Sequence, residues 1–219
     1  MGRHIMKTIL CFGDSNTFGT IPGGGRWEKY IRWPGKLQTL LGENYEVIEE
    51  GCGGRTTVWN DDLELYKNGR TALPIMLASH KPLDYVIISL GTNDLKTRFS
   101  LLPSDIAMGA AQLVKLVQTF PYGKHYPIPK VLLISPIELG ENIENSVFTG
   151  FNKDSFFKSL HLSDAFQKVA ATLNCEYINA ALYAHPSPVD CLHMDSKNHA
   201  ALADAIFARL TELEAQNKL

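Results

Sequence analysis

The sequence predicts an α/β fold of three layers, α/β/α, with a five-stranded parallel sheet between two layers of helices. Strand-like and helix-like segments alternate five times along the 219 residues. The strand-like runs are nearly continuous in apolar residues, as strands buried on both faces are. Most of them stop abruptly in glycine-rich or polar turns. A chain of this length needs only one core, since chains split into domains beyond about 250–300 residues. With no repeat or low-complexity stretch to divide it, 6–219 reads as a single domain. Met1-Gly2-Arg3-His4-Ile5 precede a second methionine, Met6, and read as a tag remnant or as a natural N-terminus, which would look the same.

The first strand is Thr8-Ile9-Leu10-Cys11-Phe12, running straight into Gly13-Asp14-Ser15-Asn16-Thr17. An apolar run of β-formers that ends in Gly, Asp and Ser delivers a small nucleophilic side chain to the end of a sheet. A loop rich in glycine follows over 19–25. Pro34 suits the first turn of a helix over 35–41, with Leu37, Leu40 and Leu41 on one face. A second strand over 45–49 leads into Gly51-Cys52-Gly53-Gly54-Arg55-Thr56-Thr57. Residues 69–80 read as a helix, and 83–90 as a strand ending in Gly91-Thr92-Asn93-Asp94. An amphipathic helix over 104–119 precedes a fourth strand over 130–135, stopped by Pro136. The connection over 137–152 is long enough to serve as a lid or an interface element. One helix covers 153–173 and a short fifth strand 175–178. A loop with Pro186, Pro188, Asp190 and His193 then leads to a last helix over 196–215.

Hydrophobic residues at 45% and charged residues at 20% are ordinary globular values, so disorder is not expected. A formal charge of −2, with no basic run, gives no electrostatic reason to expect a nucleic acid or an anionic membrane as partner. A small neutral substrate fits better. No stretch of about 18 apolar residues and no signal-peptide pattern is present, so a cytoplasmic location is expected. The four cysteines, Cys11, Cys52, Cys175 and Cys191, show no C-x-x-C spacing and read as reduced thiols.

Parallel strands with right-handed crossovers bring all their carboxyl ends to one edge, where ligands bind. Ser15, Gly54, Asn93 and His193, far apart in sequence, should therefore meet in one crevice. A serine hydroxyl needs a general base, and histidine is the usual one at neutral pH. Asp190, three residues before His193, is placed to accept from Nδ1 and leave Nε2 free. Backbone N–H groups of Ser15 and Gly54 and the Asn93 carboxamide are candidate donors for the oxyanion of acyl transfer.

In order and approximate spacing, Gly13-Asp14-Ser15, Gly54 in its loop, Gly91-Thr92-Asn93-Asp94 and Asp190-x-x-His193 resemble the four blocks of the SGNH (GDSL) hydrolase family. The resemblance runs from Met6 to the last helix. Arg32-Trp33-x-Gly35, Glu46-Val47-Ile48-Glu49-Glu50-Gly51, Arg55-Thr56-Thr57 and Asn93-Asp94-x-Lys96 look like its bacterial arylesterase and acyltransferase (perhydrolase) branch. That resemblance implies a flavodoxin-like fold and hydrolysis of short-chain acyl esters, with some acyl transfer to alcohols or peroxide. It also implies no metal or other cofactor and a homo-oligomer. Branch members carry Trp at the position of Phe18 and a small non-glycine residue at Gly54, so Phe18 is expected to reshape the acyl pocket.

Phe18, Trp27, Trp59 and Phe151, with Phe148, are the candidates for binding substrate, ordinary packing being the competing role for each aromatic. Asp195 competes with Asp190, and His199 with His193, although its place inside the last helix favours a surface or packing role. Asp14 and Asp94 read as braces of their loops. Gly51-x-Gly53 fails as a dinucleotide fingerprint because the third glycine falls on Thr56. No P-loop, H-E-x-x-H or G-x-S-x-G is present. Two other functions stay open: a carbohydrate acetylesterase with Trp27 and Trp59 stacking on sugar, and a binding module that uses the crevice without chemistry.

Overall fold

The computed structural model describes residues 6–216, so the reading of 1–5 lies outside the described residues. Five parallel strands form one sheet: β1 (Lys7–Gly13), β2 (Tyr45–Gly51), β3 (Tyr85–Ser89), β4 (Lys130–Ser135) and β5 (Glu176–Asn179). Their order, β2-β1-β3-β4-β5, is the flavodoxin-like doubly wound order, as expected. The helices are α1 (Ser15–Phe18), α2 (Trp33–Leu41), α3 (Gly69–His80), α4 (Pro103–Thr119), α5 (Lys153–Ser159), α6 (Leu162–Leu173) and α7 (Ser196–Gln216). No helix among the described residues is long and apolar enough to cross a membrane. The four cysteines are free thiols.

Side chains alternate across each strand, so the sheet feeds two cores. Leu10, Phe12, Val86, Ile88 and Leu133 join the side covered by α3, α4 and α6, with Leu73, Leu113 and Phe166 among its members. Ile9, Cys11, Ile87, Leu132 and Ile134 join the other, where Leu37 of α2 and Leu202, Ile206 and Leu210 of α7 close over them. Burial pushes the Cys11 thiol well above its ordinary pKa, which makes it an inert core residue rather than a nucleophile.

Two elements differ from the sequence expectation. The single helix over 153–173 is two, α5 and α6, separated by Leu160 and His161. Ser159 Oγ donates to the Phe156 carbonyl (2.6 Å) and accepts from Leu139 N–H (3.1 Å), tying the end of α5 to the 137–152 connection. The buried positions Ser155, Ser159, Leu162, Phe166 and Ala170 keep a three-or-four spacing through the break, so apolar period alone cannot reveal it. The one-turn helix α1 is the second, too short to have a period of its own.

His199 is fully buried near the start of α7, and its Nδ1 accepts from the Trp33 backbone N–H of α2 at 3.3 Å. Its Nε2 meets no partner among the described residues. Desolvation lowers the His199 pKa from 6.5 to about 4. The unfolded chain takes up a proton on this ring near pH 6.5 while the folded chain resists it until about pH 4. Its contribution is therefore complete above pH 6.5 and declines as the pH falls toward 4, by up to roughly 3 kcal/mol. His199→Asn, whose Oδ1 replaces Nδ1 as acceptor without titrating, should remove that part of the acid loss. Urea midpoints of parent and variant across this pH range measure it, and equal pH slopes would contradict the prediction.

Candidate active site

The end of β1 turns at Gly13, where a Cβ would collide with the Thr17 side chain and lie 2.8 Å from the Ser89 carbonyl oxygen. That closeness lets α1 start immediately. Asp14 caps α1, its Oδ1 accepting from Asn16 N–H at 3.0 Å, and Ser15 becomes the first helical residue, buried to 7% exposure. Burial raises the Asp14 pKa despite its hydrogen bonds. As the sequence suggested, Asp14 braces the turn.

His193 reaches Ser15 from the loop before α7. Its Nε2 lies 3.0 Å from Ser15 Oγ, and its Nδ1 2.8 Å from Asp190 Oδ2. Asp190 Oδ1 also accepts from the backbone N–H groups of Leu192 (3.1 Å) and His193 (2.9 Å), so one carboxylate fixes both the ring and its loop. Burial alone would raise the Asp190 pKa. The His193 ring and the two N–H groups outweigh it and hold the carboxylate below its ordinary range. Because a carboxylate only accepts, Nδ1 carries the proton and Nε2 is left to accept from Ser15. Asp195, the competitor, instead receives the Asn198 N–H near the start of α7 at 2.9 Å.

Asn16, which sequence reasoning passed over, fixes the spacing. Its Nδ2 donates to the Leu192 carbonyl (3.2 Å) and its Oδ1 accepts from Met194 N–H (3.0 Å), gripping the backbone on both sides of His193. The only signal available was its position beside Ser15.

The opposite wall comes from the loops after β2 and β3. Gly54 holds φ +79°, in the left-handed region, and Arg55 donates from Nη1 to the carbonyls of Gly13 (2.9 Å) and Glu50. The Arg55 guanidinium also lies 4.2 Å from the centre of the Phe12 ring. Asn93 Nδ2 donates one hydrogen to the Arg55 carbonyl (3.1 Å), which leaves its second for the crevice. Asp94 binds the Thr57 N–H and hydroxyl. Burial pushes the Asp94 pKa up to about 7 against those hydrogen bonds. Neither the Ser15 nor the Gly54 N–H meets a protein acceptor among the described residues.

Ser15, Gly54, Asn93, Asp190 and His193 all line one crevice of about 520 Å³. Hollows of about 470 Å³ elsewhere, beside Tyr177 and Arg209 and beside Leu65 and Ile75, hold no nucleophile–base pair. Phe151 and Phe148 border the crevice, and the Phe148 ring stands edge-on to His193 with centroids 5.3 Å apart. The other three aromatic candidates lie outside this lining. Phe18 lies under the Arg26 guanidinium, Trp27 donates from its indole to the Met194 carbonyl at 3.4 Å, and the buried Trp59 indole N–H meets no partner among the described residues. None of the three lines the crevice. The connection over 137–152 is tied to the histidine loop, Gly140 N–H donating to the Cys191 carbonyl at 2.8 Å. No group of three or more His, Cys, Asp or Glu side chains among the described residues is placed to hold a metal.

Over residues 11–201 the chain matches the profile of the GDSL-like Lipase/Acylhydrolase family. Among solved structures it is similar to Est24, a carbohydrate acetylesterase from Sinorhizobium meliloti, at 37% identity and TM-score 0.87, covering 94% of this chain and 99% of that one. It is also similar to the native aryl esterase of M. smegmatis, at 36% identity and TM-score 0.88, with the same 94% and 99% coverage. An acetylxylan esterase of Xylanibacter ruminicola is 34% identical over 156 residues, 64% of this chain but only 31% of that protein.

Asn16→Ala should cost about 2–4 kcal/mol, because it orphans a buried N–H and a buried carbonyl. Hydrogen exchange at Met194 should quicken as the grip on the histidine loop is lost. Urea unfolding and amide exchange measure the two effects, and an unchanged Met194 exchange rate would show that the grip is not what holds the loop.

Proposed function

The chain belongs to the GDSL-like lipase/acylhydrolase family, and from that premise we propose that it is a serine esterase acting on short-chain acyl esters through an acyl-enzyme. The observation that carries this reading is the unbroken line from Ser15 Oγ through His193 to Asp190, facing three donors in one crevice. Ser15 Oγ attacks the ester carbonyl carbon as His193 Nε2 takes its proton. Asp190 holds the ring and stabilises the imidazolium. The carbonyl oxygen becomes an oxyanion met by the N–H groups of Ser15 and Gly54 and by the Asn93 amide. His193 then returns the proton to the departing alcohol oxygen, leaving the acyl group on Ser15. Water, or another alcohol or peroxide, attacks that acyl group as His193 takes its proton; the acyl–Oγ bond then breaks, the product leaves, and His193 returns the proton to Ser15 Oγ.

The similarity to acetylesterases of carbohydrates supports an acetyl ester as the acyl half. Stacking of Trp27 and Trp59 on a sugar does not, since neither ring lines the crevice. A binding module without chemistry has no need of a base at hydrogen-bond distance from a serine, so that alternative loses its support.

Turnover of p-nitrophenyl acetate should be lost in Ser15→Ala and His193→Ala, fall by about 10³–10⁴-fold in Asp190→Asn, and fall by about 10²–10³-fold in Asn93→Ala. Persistence of parental turnover in Ser15→Ala would sink the reading.

A further inference from the structure

One wall of the crevice carries a group of charges that the proposed chemistry does not use. Asp61, Glu64, Lys96 and Arg98 form a cluster of two carboxylates and two cations. Glu64 Oε1 accepts from Lys96 Nζ at 2.5 Å and from Arg98 Nη2 at 2.8 Å. Asp61, with a fully buried side chain, receives Arg98 Nε (3.1 Å) and Nη2 (2.6 Å) and lies 3.5 Å from Lys96 Nζ. Both cations therefore have both carboxylates as partners. Lys96 and Glu64 line the crevice, and the Glu64 side chain keeps 40% exposure.

The second oxygen of Glu64 is different. No protein donor among the described residues reaches Oε2, and it lies 2.5 Å from where a Cβ on Gly54 would stand. With no Cβ at 54, this carboxylate oxygen sits over the backbone of the loop proposed to supply an oxyanion donor, and Lys67 Cε lies 3.3 Å from the same point. The carboxylate faces the crevice and the cations hold its far oxygen, which favours a hydrogen-bond donor over an anion in front of Oε2.

We infer that Glu64 is a specificity-determining residue whose Oε2 accepts a hydrogen bond from a hydroxyl carried by the substrate close to its ester group. This rests on the esterase reading above. The preferred substrates are esters of hydroxylated compounds, with the hydroxyl in the alcohol half or in the acyl half. A site built to bond a hydroxyl discriminates against the analogue lacking it because its own polar atom is then left unpaired. In Glu64→Gln the amide oxygen stays on Lys96 and Arg98, so the NH₂ takes the place of Oε2 and an acceptor becomes a donor. Glu64→Ala removes both.

Two matched pairs test the inference: 2-hydroxyethyl acetate against propyl acetate, and methyl glycolate against methyl propionate. The readout is the ratio of kcat/KM between members of a pair within each protein, so that any change common to both cancels. In at least one pair the ratio should fall about tenfold or more in both variants, chiefly through KM, as for loss of a hydrogen bond to a charged group. The pair that responds identifies the half of the substrate that faces Glu64. Ratios unchanged in both pairs, with the plain esters still hydrolysed, would overturn the role of Glu64 alone. Absence of turnover of all four esters by the parent would overturn the esterase reading, and this inference with it.

Discussion

The hydrogen bond between Ser15 Oγ and His193 Nε2 joins residues 178 apart in the chain. Neither residue holds the other in place. Ser15 is fixed by the end of β1, where Gly13 allows α1 to begin against the carbonyl of Ser89. His193 is fixed by Asp190 and by the loop that Asn16 grips on either side. The parallel sheet brings the two loops to one edge, and two side chains, Asp190 and Asn16, then bring Ser15 Oγ and His193 Nε2 within hydrogen-bond distance. Preorganisation of this kind is where a positioned base gains its advantage over one in solution.

A second constraint is the management of buried charge around that pair. Arg55 ties the ends of β1 and β2 together through the carbonyls of Gly13 and Glu50, while its own carbonyl orients Asn93. Asp94 braces the same loop through Thr57. Burial raises the pKa values of Asp14 and Asp94, whereas Asp190 is held low by its hydrogen bonds with His193 and Leu192. Of these three carboxylates near the site, the one whose environment most favours the charged form is the one bonded to the histidine. This is the environment that the proposed orienting role of Asp190 requires.

Much of this was legible in the sequence, for identifiable reasons. The strands announce themselves as apolar runs buried on both faces, and a parallel sheet has one ligand edge, so Ser15, Gly54, Asn93 and His193 could be brought together from the sequence alone. What was not legible depends on where side chains point in irregular segments. Phe18, Trp27 and Trp59 lie near site motifs in sequence, yet none of them lines the crevice. The break between α5 and α6 was hidden because the apolar spacing runs through it undisturbed. Asn16 and Glu64 were missed because their roles lie in contacts with distant segments, and no local pattern encodes those.

The most direct test of Ser15 as the activated nucleophile is covalent labelling of the whole protein by a phosphonate serine inhibitor, read by intact mass and peptide mapping. The geometry predicts a single adduct, on the peptide that carries Ser15. An adduct on any other residue, or a folded protein that takes up none, would contradict the account.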